Sequence, residues 1–488
     1  MSQIELNTGP SFDGEVVEGP FYEAAKKVYP RHVSGFFRQV KWAVLVVALS
    51  IYYLLPFVRW NRGPEQPSQA VLVDLAHRRF YFFWIEIWPQ EVYYFTGLLI
   101  IAALMLFLMN ALAGRIWCGY MCPQTVWTDL FLTVERWIEG DRRERMLRDA
   151  APHRFDWWRL KIGKHSVWLI IAWWTGGAWV LYFADAPQLV VSLLTFQAPF
   201  VAYGAIGVLT LTTYVFAGFM REQVCLYMCP WPRIQASLID EHALNVSYQY
   251  DRGEPRMSLK KAKFAQADGQ KAGDCIDCTY CVEVCPTGVD IRKGPSLGCI
   301  QCGLCIDACD SVMDKINRPT RLIAYNTDVN IKRHSQGLPP VYRLIRPRTV
   351  LYSAVIAVVG SVMLYALTSR SNTALAAIHD RNPLFVRTSD GSIRNGYELR
   401  IANKAPRTRR FRLELTGLGG KIEVVGADGA DGNAPSLEVG PDQTREVRVL
   451  VTTSTAPGAA ATPVTFRIVG SDDNVAAETK DFFRSGSQ

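Results

Sequence analysis

The chain has 488 residues, 49% hydrophobic and 20% charged, with a formal net charge of +8. Its mean hydropathy is barely above zero, which excludes a protein embedded in a membrane throughout; the length allows several domains. Its basic residues flank apolar segments instead of forming a patch of their own, so nucleic acid is excluded as the partner class.

The predicted elements run as follows. Residues 1–41 form a polar N-terminal segment with no signal peptide pattern. Five segments are long and apolar enough to cross a bilayer: Trp42–Val58, Val92–Gly114, Ser166–Phe183, Phe200–Phe219 and Thr349–Leu367. A shorter apolar piece, Pro187–Pro199, reads as interfacial. Lys and Arg crowd the loop after the second segment (Arg136, Arg142, Arg143 and Arg145 among them) and the loop after the fourth, but are missing between Ala184 and Pro199. By the positive-inside tendency the basic loops are cytoplasmic. Five spans then put the N-terminus inside and the C-terminus outside.

The cysteines number twelve and fall into four local groups, which is the pattern of metal ligation in a reducing compartment and not of a secreted disulfide framework. Two groups repeat one hexapeptide. "CGYMCP" spans Cys118–Pro123 and "CLYMCP" spans Cys225–Pro230, each after an apolar segment and an Ala-Gly pair. If the helix continues, cysteines at i and i+4 share a face. Two such ends brought together offer the thiols of Cys118, Cys122, Cys225 and Cys229, with Met121 and Met228 as thioethers. Soft sulfur ligands select Cu(I), zinc or iron–sulfur, and thioethers tilt the choice toward copper. Structural thiols, a disulfide or a quinone pocket are the alternatives. Arg115 and Arg221, just upstream of the motifs, serve either as membrane-interface anchors or to lower the thiol pKa.

The other two groups are "CIDCTYCVEVCP" and "CIQCGLCIDAC", the C-x2-C-x2-C-x3-C spacing written twice. That is the bacterial ferredoxin pattern for two 4Fe-4S clusters, in which the fourth cysteine of each run serves the other cluster. The assignment is Cys275, Cys278, Cys281 and Cys309 for one, and Cys299, Cys302, Cys305 and Cys285 for the other. Zinc is the competing reading. Two departures stand out: Asp310 replaces the usual Pro, and only 13 residues separate Cys285 from Cys299. No flavin or nicotinamide fingerprint is present, so the electron donor is expected to be another cytoplasmic protein, a small reductant or a quinol. The five apolar segments hold no histidine, which argues against haem.

Beyond Asn372, alternating runs such as "YELRIAN", "FRLELTG" and "VTFRIVG", separated by Gly, Asp and Asn, predict a β-sandwich. The architecture expected is therefore a five-helix membrane bundle (42–219 and 349–367), an inserted cytoplasmic ferredoxin-like domain (220–348) and a periplasmic immunoglobulin-like sandwich (372–488).

The stretches "YPRHVSGFFRQVKW" and "RRFYFFWIEIWPQEVYYFTGLL", both CxxxCP motifs, the double ferredoxin motif and the β tail together resemble the FixG/CcoG family, polyferredoxin-type accessory proteins of cbb3-type cytochrome c oxidases. The resemblance implies a bacterial inner-membrane cupric reductase that supplies Cu(I) to the oxidase or its copper-delivery proteins. A homodimer is left open. A quinol-linked electron-transfer subunit and a non-catalytic copper-binding assembly factor are the runners-up.

Overall fold

The computed structural model describes residues 27–63, 66–151, 155–405, 407–426, 436–441, 443–454, 460–470 and 474–485. Most of the expected N-terminal segment, residues 1–26, lies outside the described residues.

Two compact units divide the chain. The first comprises residues 1–53, 102–180 and 198–354. Here α1 (Phe36–Leu54) starts directly against the cysteine-rich region: the Phe37 and Arg38 N–H groups donate to the Asp307 carboxylate at 3.2 and 2.8 Å. A side chain from far along the chain thus satisfies two of the helix's orphan donors. Helix α2 (Tyr93–Ala113) ends at Gly114, which takes φ +54 and lies so close to Asn245 and Gln301 that a Cβ would clash with both. A short α3 (Ile116–Tyr120), α4 (Pro123–Glu139), α5 (Arg142–Ala150) and α6 (Phe155–Val180) follow.

After α7 (Ala186–Leu194), which belongs to the second unit and covers the first part of the segment expected to be interfacial, α8 (Phe200–Thr213) passes into a widened π-helical stretch, Tyr214–Met220. A second π turn, Val224–Met228, precedes α9 (Trp231–Leu238). The cysteine-rich region then carries four short helices, α10 (Tyr250–Gly253), α11 (Leu259–Ala267), α12 (Tyr280–Glu283) and α13 (Leu304–Lys315), followed by α14 (Asp328–Ser335). The last apolar helix is α15 (Pro347–Thr368).

Among the described residues four helices are long and apolar enough to cross a membrane: Phe36–Phe57, Tyr93–Ala113, Phe200–Met220 and Pro347–Thr368. The expected third span is the later part of α6 and is not among them. That helix begins well before the apolar run, carries Lys161, Lys164 and His165, and relies on tryptophans. A count of five therefore does not rest on apolarity alone.

The second unit comprises residues 54–101, 181–197 and 355–488. A three-stranded antiparallel sheet of β1 (Val71–Asp74), β2 (Arg79–Phe82) and β3 (Ile85–Ile87) follows the first span. Two short strands, β4 (Asn245–Tyr248) and β5 (Ile323–Asn326), pair in the first unit and bracket the cysteine-rich loops.

Among the described residues the C-terminal sandwich has nine strands: β6 (Thr373–His379), β7 (Val386–Arg387), β8 (Ile393–Asn403), β9 (Arg409–Thr416), β10 (Lys421–Val424), β11 (Ser436–Val439), β12 (Gln443–Thr453), β13 (Ala461–Gly470) and β14 (Val475–Arg484). One sheet runs β10-β12-β8-β6 with β7 on β8, and the other β11-β9-β13-β14. Strict alternation puts Tyr397, Leu399 and Ile401 of β8 against Phe411, Leu413 and Phe466 of the facing sheet, all fully buried. Tyr397 and Phe466 meet edge to face at 4.8 Å. Phe466→Ala should therefore cost about 3–5 kcal/mol, read as an earlier denaturant midpoint for the sandwich within the full chain.

Candidate metal centres

The two ferredoxin-type runs fold alike. In each, the residues flanking the central cysteine are left-handed: Asp277 and Thr279 around Cys278, Gln301 and Gly303 around Cys302. This winds each loop into an arc with its cysteines on the inside. The arcs are completed by exchange. Cys275, Cys278, Cys281 and Cys309 border one small cavity, while Cys285, Cys299, Cys302 and Cys305, with Cys281 at the edge, border a second.

Asp310 explains how Cys309 gets there. With no Pro at that position, α13 runs on through Cys309 to Lys315, and the Asp310 carboxylate accepts the Arg321 N–H at 2.7 Å. In the first run, α12 ends before Cys285 and Pro286.

The donor chemistry of both cavities fits a 4Fe-4S cluster. All twelve cysteines are free. Backbone N–H groups of Gln301 and Leu304 aim at the Cys299 and Cys302 sulfurs, and apolar side chains such as Val246, Ile291 and Ile306 pack around the loops, while Cys278 stays exposed. Burial pushes the Cys281 and Cys299 thiols up to about 12. Neutral thiols are thereby favoured until a cation arrives, the condition an iron cluster reverses. Bound there, a cluster supplies reversible one-electron chemistry.

The hexapeptides repeat in structure as well. In both copies the N–H of the second cysteine donates to the carbonyl five residues back, Cys122 to Trp117 at 3.0 Å and Cys229 to Val224 at 2.8 Å. Both second cysteines then leave the helix in extended conformation, just before the proline. The helix therefore does not continue through the motif, and the shared i, i+4 face expected from spacing is replaced by a turn.

The four thiols nonetheless form one group. Burial raises Cys118 to about 12, and its neighbours Cys122, Cys225 and Cys229 push the same way; burial raises Cys225 to about 11, with Cys122 and Cys229 adding. No three His, Cys, Asp or Glu side chains among the described residues converge tightly enough to grip a single ion as they stand. Met121 and Met228 are about half exposed, at 50% and 52%.

The variable residue of the hexapeptide explains how the first copy meets the second cluster loop. At Gly119 a Cβ would lie 2.7 Å from the Ile300 carbonyl oxygen and 3.1 Å from the Cys302 Cα. Only glycine allows α3 to rest on that backbone. Beside it, the Tyr120 hydroxyl donates to the Cys302 carbonyl at 2.9 Å.

Arg115 completes the contact. Its backbone N–H donates to Gln301 Oε1 and its guanidinium to the Leu297 carbonyl, both at 2.7 Å, and also to the Pro232 carbonyl beyond the second hexapeptide at 2.8 Å. Arg115 is thus neither a simple anchor nor an effective thiol activator, since burial outweighs its charge at Cys118. Arg221 likewise points elsewhere, to Glu135 at 2.9 Å. Gln235, buried on α9, accepts from the Cys118 thiol at 3.2 Å. Sequence reasoning missed it; its position five residues beyond the second "CP" is the only signal available.

A buried ionic network holds α4 behind the first hexapeptide. Asp129 pairs with Arg38 at 2.8 Å, and Glu135 pairs with Arg145, Lys164 and Arg221. Burial alone pushes the Glu135 carboxyl up, but Arg221, Lys164 and Arg145 together overcome this and hold it at about 2.

Four spans and two cluster cavities define the class: a membrane-associated iron–sulfur redox protein. A "4Fe-4S dicluster domain" family model matches residues 220–328, a "4Fe-4S binding domain" model residues 95–140, and an "IG-like fold at C-terminal of FixG" model residues 363–486. The chain is 49% identical over 463 residues to nitrogen fixation protein FixG of Rhizobium meliloti, covering 89% of this chain and 88% of that protein. Proteins RdxA and RdxB of Cereibacter sphaeroides are 50% and 51% identical, covering 84% and 81% of this chain and 87% and 83% of their own. The chain belongs to the FixG family. A crystal structure of a FixG-related protein from Vibrio parahaemolyticus matches 24% of this chain and 98% of its own, at 19% identity and a TM-score of 0.20.

Gly119→Val should lower iron and acid-labile sulfide per chain, because the side chain must displace the Ile300–Cys302 backbone. Glu135→Gln should cost about 3–5 kcal/mol by leaving three cations short of a partner. In the wild type, the depressed Glu135 pKa contributes stability that is complete above its ordinary 4.5 and lost as pH falls toward 2; the thermal midpoint of the Gln variant should be correspondingly less acid-sensitive over that window.

Proposed function

We propose that this chain is a membrane-bound iron–sulfur cupric reductase, taking Cu(II) as substrate and releasing Cu(I) for assembly of a cbb3-type cytochrome c oxidase. The observation that carries the reading is that the half-buried thiols of Cys118, Cys122, Cys225 and Cys229 are electrostatic neighbours, with the segment of the first pair packed onto the cluster loop through Arg115, Gly119 and Tyr120. Thiolate ligation stabilises Cu(I) over Cu(II), so a copper ion bound by this group is biased toward accepting one electron. Loading requires the thiols to lose their protons and close around the ion. Gln235, already bonded to the Cys118 sulfur, holds that thiol in place.

On this reading α6 crosses the membrane along with the four more apolar helices. The basic loops and the cluster cavities then face the cytoplasm, and the sandwich faces the periplasm, where it docks the oxidase or its copper-delivery partners.

A second reading has one observation behind it. The stretch 95–140, which matches a 4Fe-4S binding model, holds only Cys118 and Cys122. The four thiols would then hold a further iron–sulfur centre instead of copper.

Chemically reduced protein should be reoxidised by Cu(II) with formation of Cu(I). The Cys118→Ser/Cys122→Ser pair should slow this at least tenfold while the iron content of the two ferredoxin-type sites is kept. Equal rates with intact clusters would remove the copper assignment. A wild type that holds more iron than two cubes contain, with only the excess lost in the double variant, would select the second reading. Cys278→Ser should abolish the absorbance of its own cluster.

A further inference from the structure

In the first unit a cavity of about 690 Å³ opens where the apolar span Phe200–Met220 ends, against the early turns of α6. That is a volume suited to an organic ligand of moderate size. Its wall is aromatic and aliphatic: Trp158, Ile162, Trp168 and Phe219. Its cations are already committed. Lys161 pairs with Glu139 and Asp149, Lys164 with Glu135 and Glu139, and Arg221 with Glu135. An anionic headgroup would have to break those pairs, so the site favours a neutral ligand.

The polar group set for recognition is His165. Its ring stacks on Phe219 with centroids 5.7 Å apart at 10°, and stands edge-on to Trp168 at 5.2 Å. Its Nδ1 lies 3.0 Å from the Tyr214 hydroxyl. That contact fixes the ring, and Nε2 has no hydrogen-bond partner among the described residues. Glu222 lines the same cavity.

Glu222 and Arg221 also border a neighbouring small cavity that Cys225, Thr287 and Ile300 line. Thr287 and Ile300 in turn border the cavity ringed by Cys285, Cys299, Cys302 and Cys305. A flat neutral ring bound at His165 would therefore sit two adjoining cavities away from the nearer cluster site.

We propose that this cavity binds a lipid-soluble quinol, reached from the bilayer, as the electron donor of the chain. The ring lies along the Trp158, Ile162 and Phe219 wall, one hydroxyl bonds to His165 Nε2, and the isoprenoid tail leaves into lipid. Oxidation breaks the two O–H bonds of the quinol. One proton passes to His165 and one to the Glu222 carboxylate, the two electrons leave singly for the iron–sulfur acceptors of the same chain, and quinone departs. The purpose of the site rests on the electron-transfer reading above; its geometry does not.

The test uses the full chain in lipid nanodiscs and decylubiquinone, followed by quenching of intrinsic tryptophan fluorescence. Saturable quenching is expected, with the dissociation constant raised about tenfold in His165→Leu through loss of one hydrogen bond to the ligand. A similar rise is expected in Ile162→Trp, which fills the cavity without touching its polar groups. Trp179→Phe, at the other end of α6, should leave the constant unchanged.

Quenching that rises linearly without saturating, or a constant that both cavity variants leave unmoved, overturns the proposal. Decylubiquinol should also bleach the clusters of the wild type and not of His165→Leu, while dithionite reduces both. Chemically reduced His165→Leu should still be reoxidised by Cu(II) at the wild-type rate. If neither chemically reduced wild type nor chemically reduced His165→Leu is reoxidised by Cu(II), copper reduction fails and the quinol site stands; a failure of His165→Leu alone would overturn the separation of the two sites.

Discussion

The arrangement of this protein turns on the backbone contact between α3 and the second ferredoxin loop. An α-helix normally keeps a neighbouring backbone at arm's length through its side chains. Gly119 removes that spacer, and the Ile300–Cys302 segment comes to rest on the helix itself. Arg115 then ties the contact to the cluster loop through the Leu297 carbonyl and to the segment just after the second hexapeptide through the Pro232 carbonyl. Three pieces distant in sequence are fixed by one glycine and one guanidinium. The second hexapeptide has Leu226 at the equivalent place, and its side chain packs toward Gly298. The two copies are alike in backbone and opposite in how they touch the cluster loop, one by absence of a side chain and one by presence of it.

The ionic network behind α4 serves the same contact from the other side. Buried charge pairs rarely add much net stability against an apolar core. Here they set register: Asp129 and Glu135 lie on one helix and draw in cations from α1, α5, α6 and the turn after Met220. A helix with alternative rotations about its axis would lose several pairs together, so α4 has one seat, and Cys122 at its start has one position.

Much of this was legible in the sequence, and the exceptions have physical causes. The four most apolar helices and the alternating strands β8, β9, β12 and β13 follow from periodicity, because burial on one face leaves a strict pattern. The paired cavities follow from cysteine spacing, with the fourth cysteine exchanged between runs. Helix α6 was harder, since tryptophan and lysine near a membrane boundary read as a loop on one side and a span on the other. The small sheet β1–β3 was missed because its strands are only three or four residues long. The shared i, i+4 face at the hexapeptides was conditional on the helix continuing, and the prolines, which suit a helix break, set an extended residue before them instead. Gln235 and the partners of Arg115 were beyond reach, because single polar residues acquire meaning only from neighbours that the fold supplies. The Ala-Gly pairs matched in sequence but not in role: Gly114 turns the chain left-handed, whereas Gly218 sits in a π-helical stretch packed on Trp168.

The cap on α1 has a consequence for how the molecule is made. The first apolar helix emerges from the ribosome early, yet the carboxylate that satisfies its leading N–H groups belongs to Asp307, 270 and 269 residues away from the two donors. Until the second ferredoxin run has been synthesised, the Asp307 carboxylate is not there to accept from those donors. Closing so long a loop is slow and adds entropy cost only gradually with length. Biogenesis therefore has a built-in order: the early helix can lodge in the membrane on its own apolarity, but its N-terminal end is finished only when the cysteine-rich region folds.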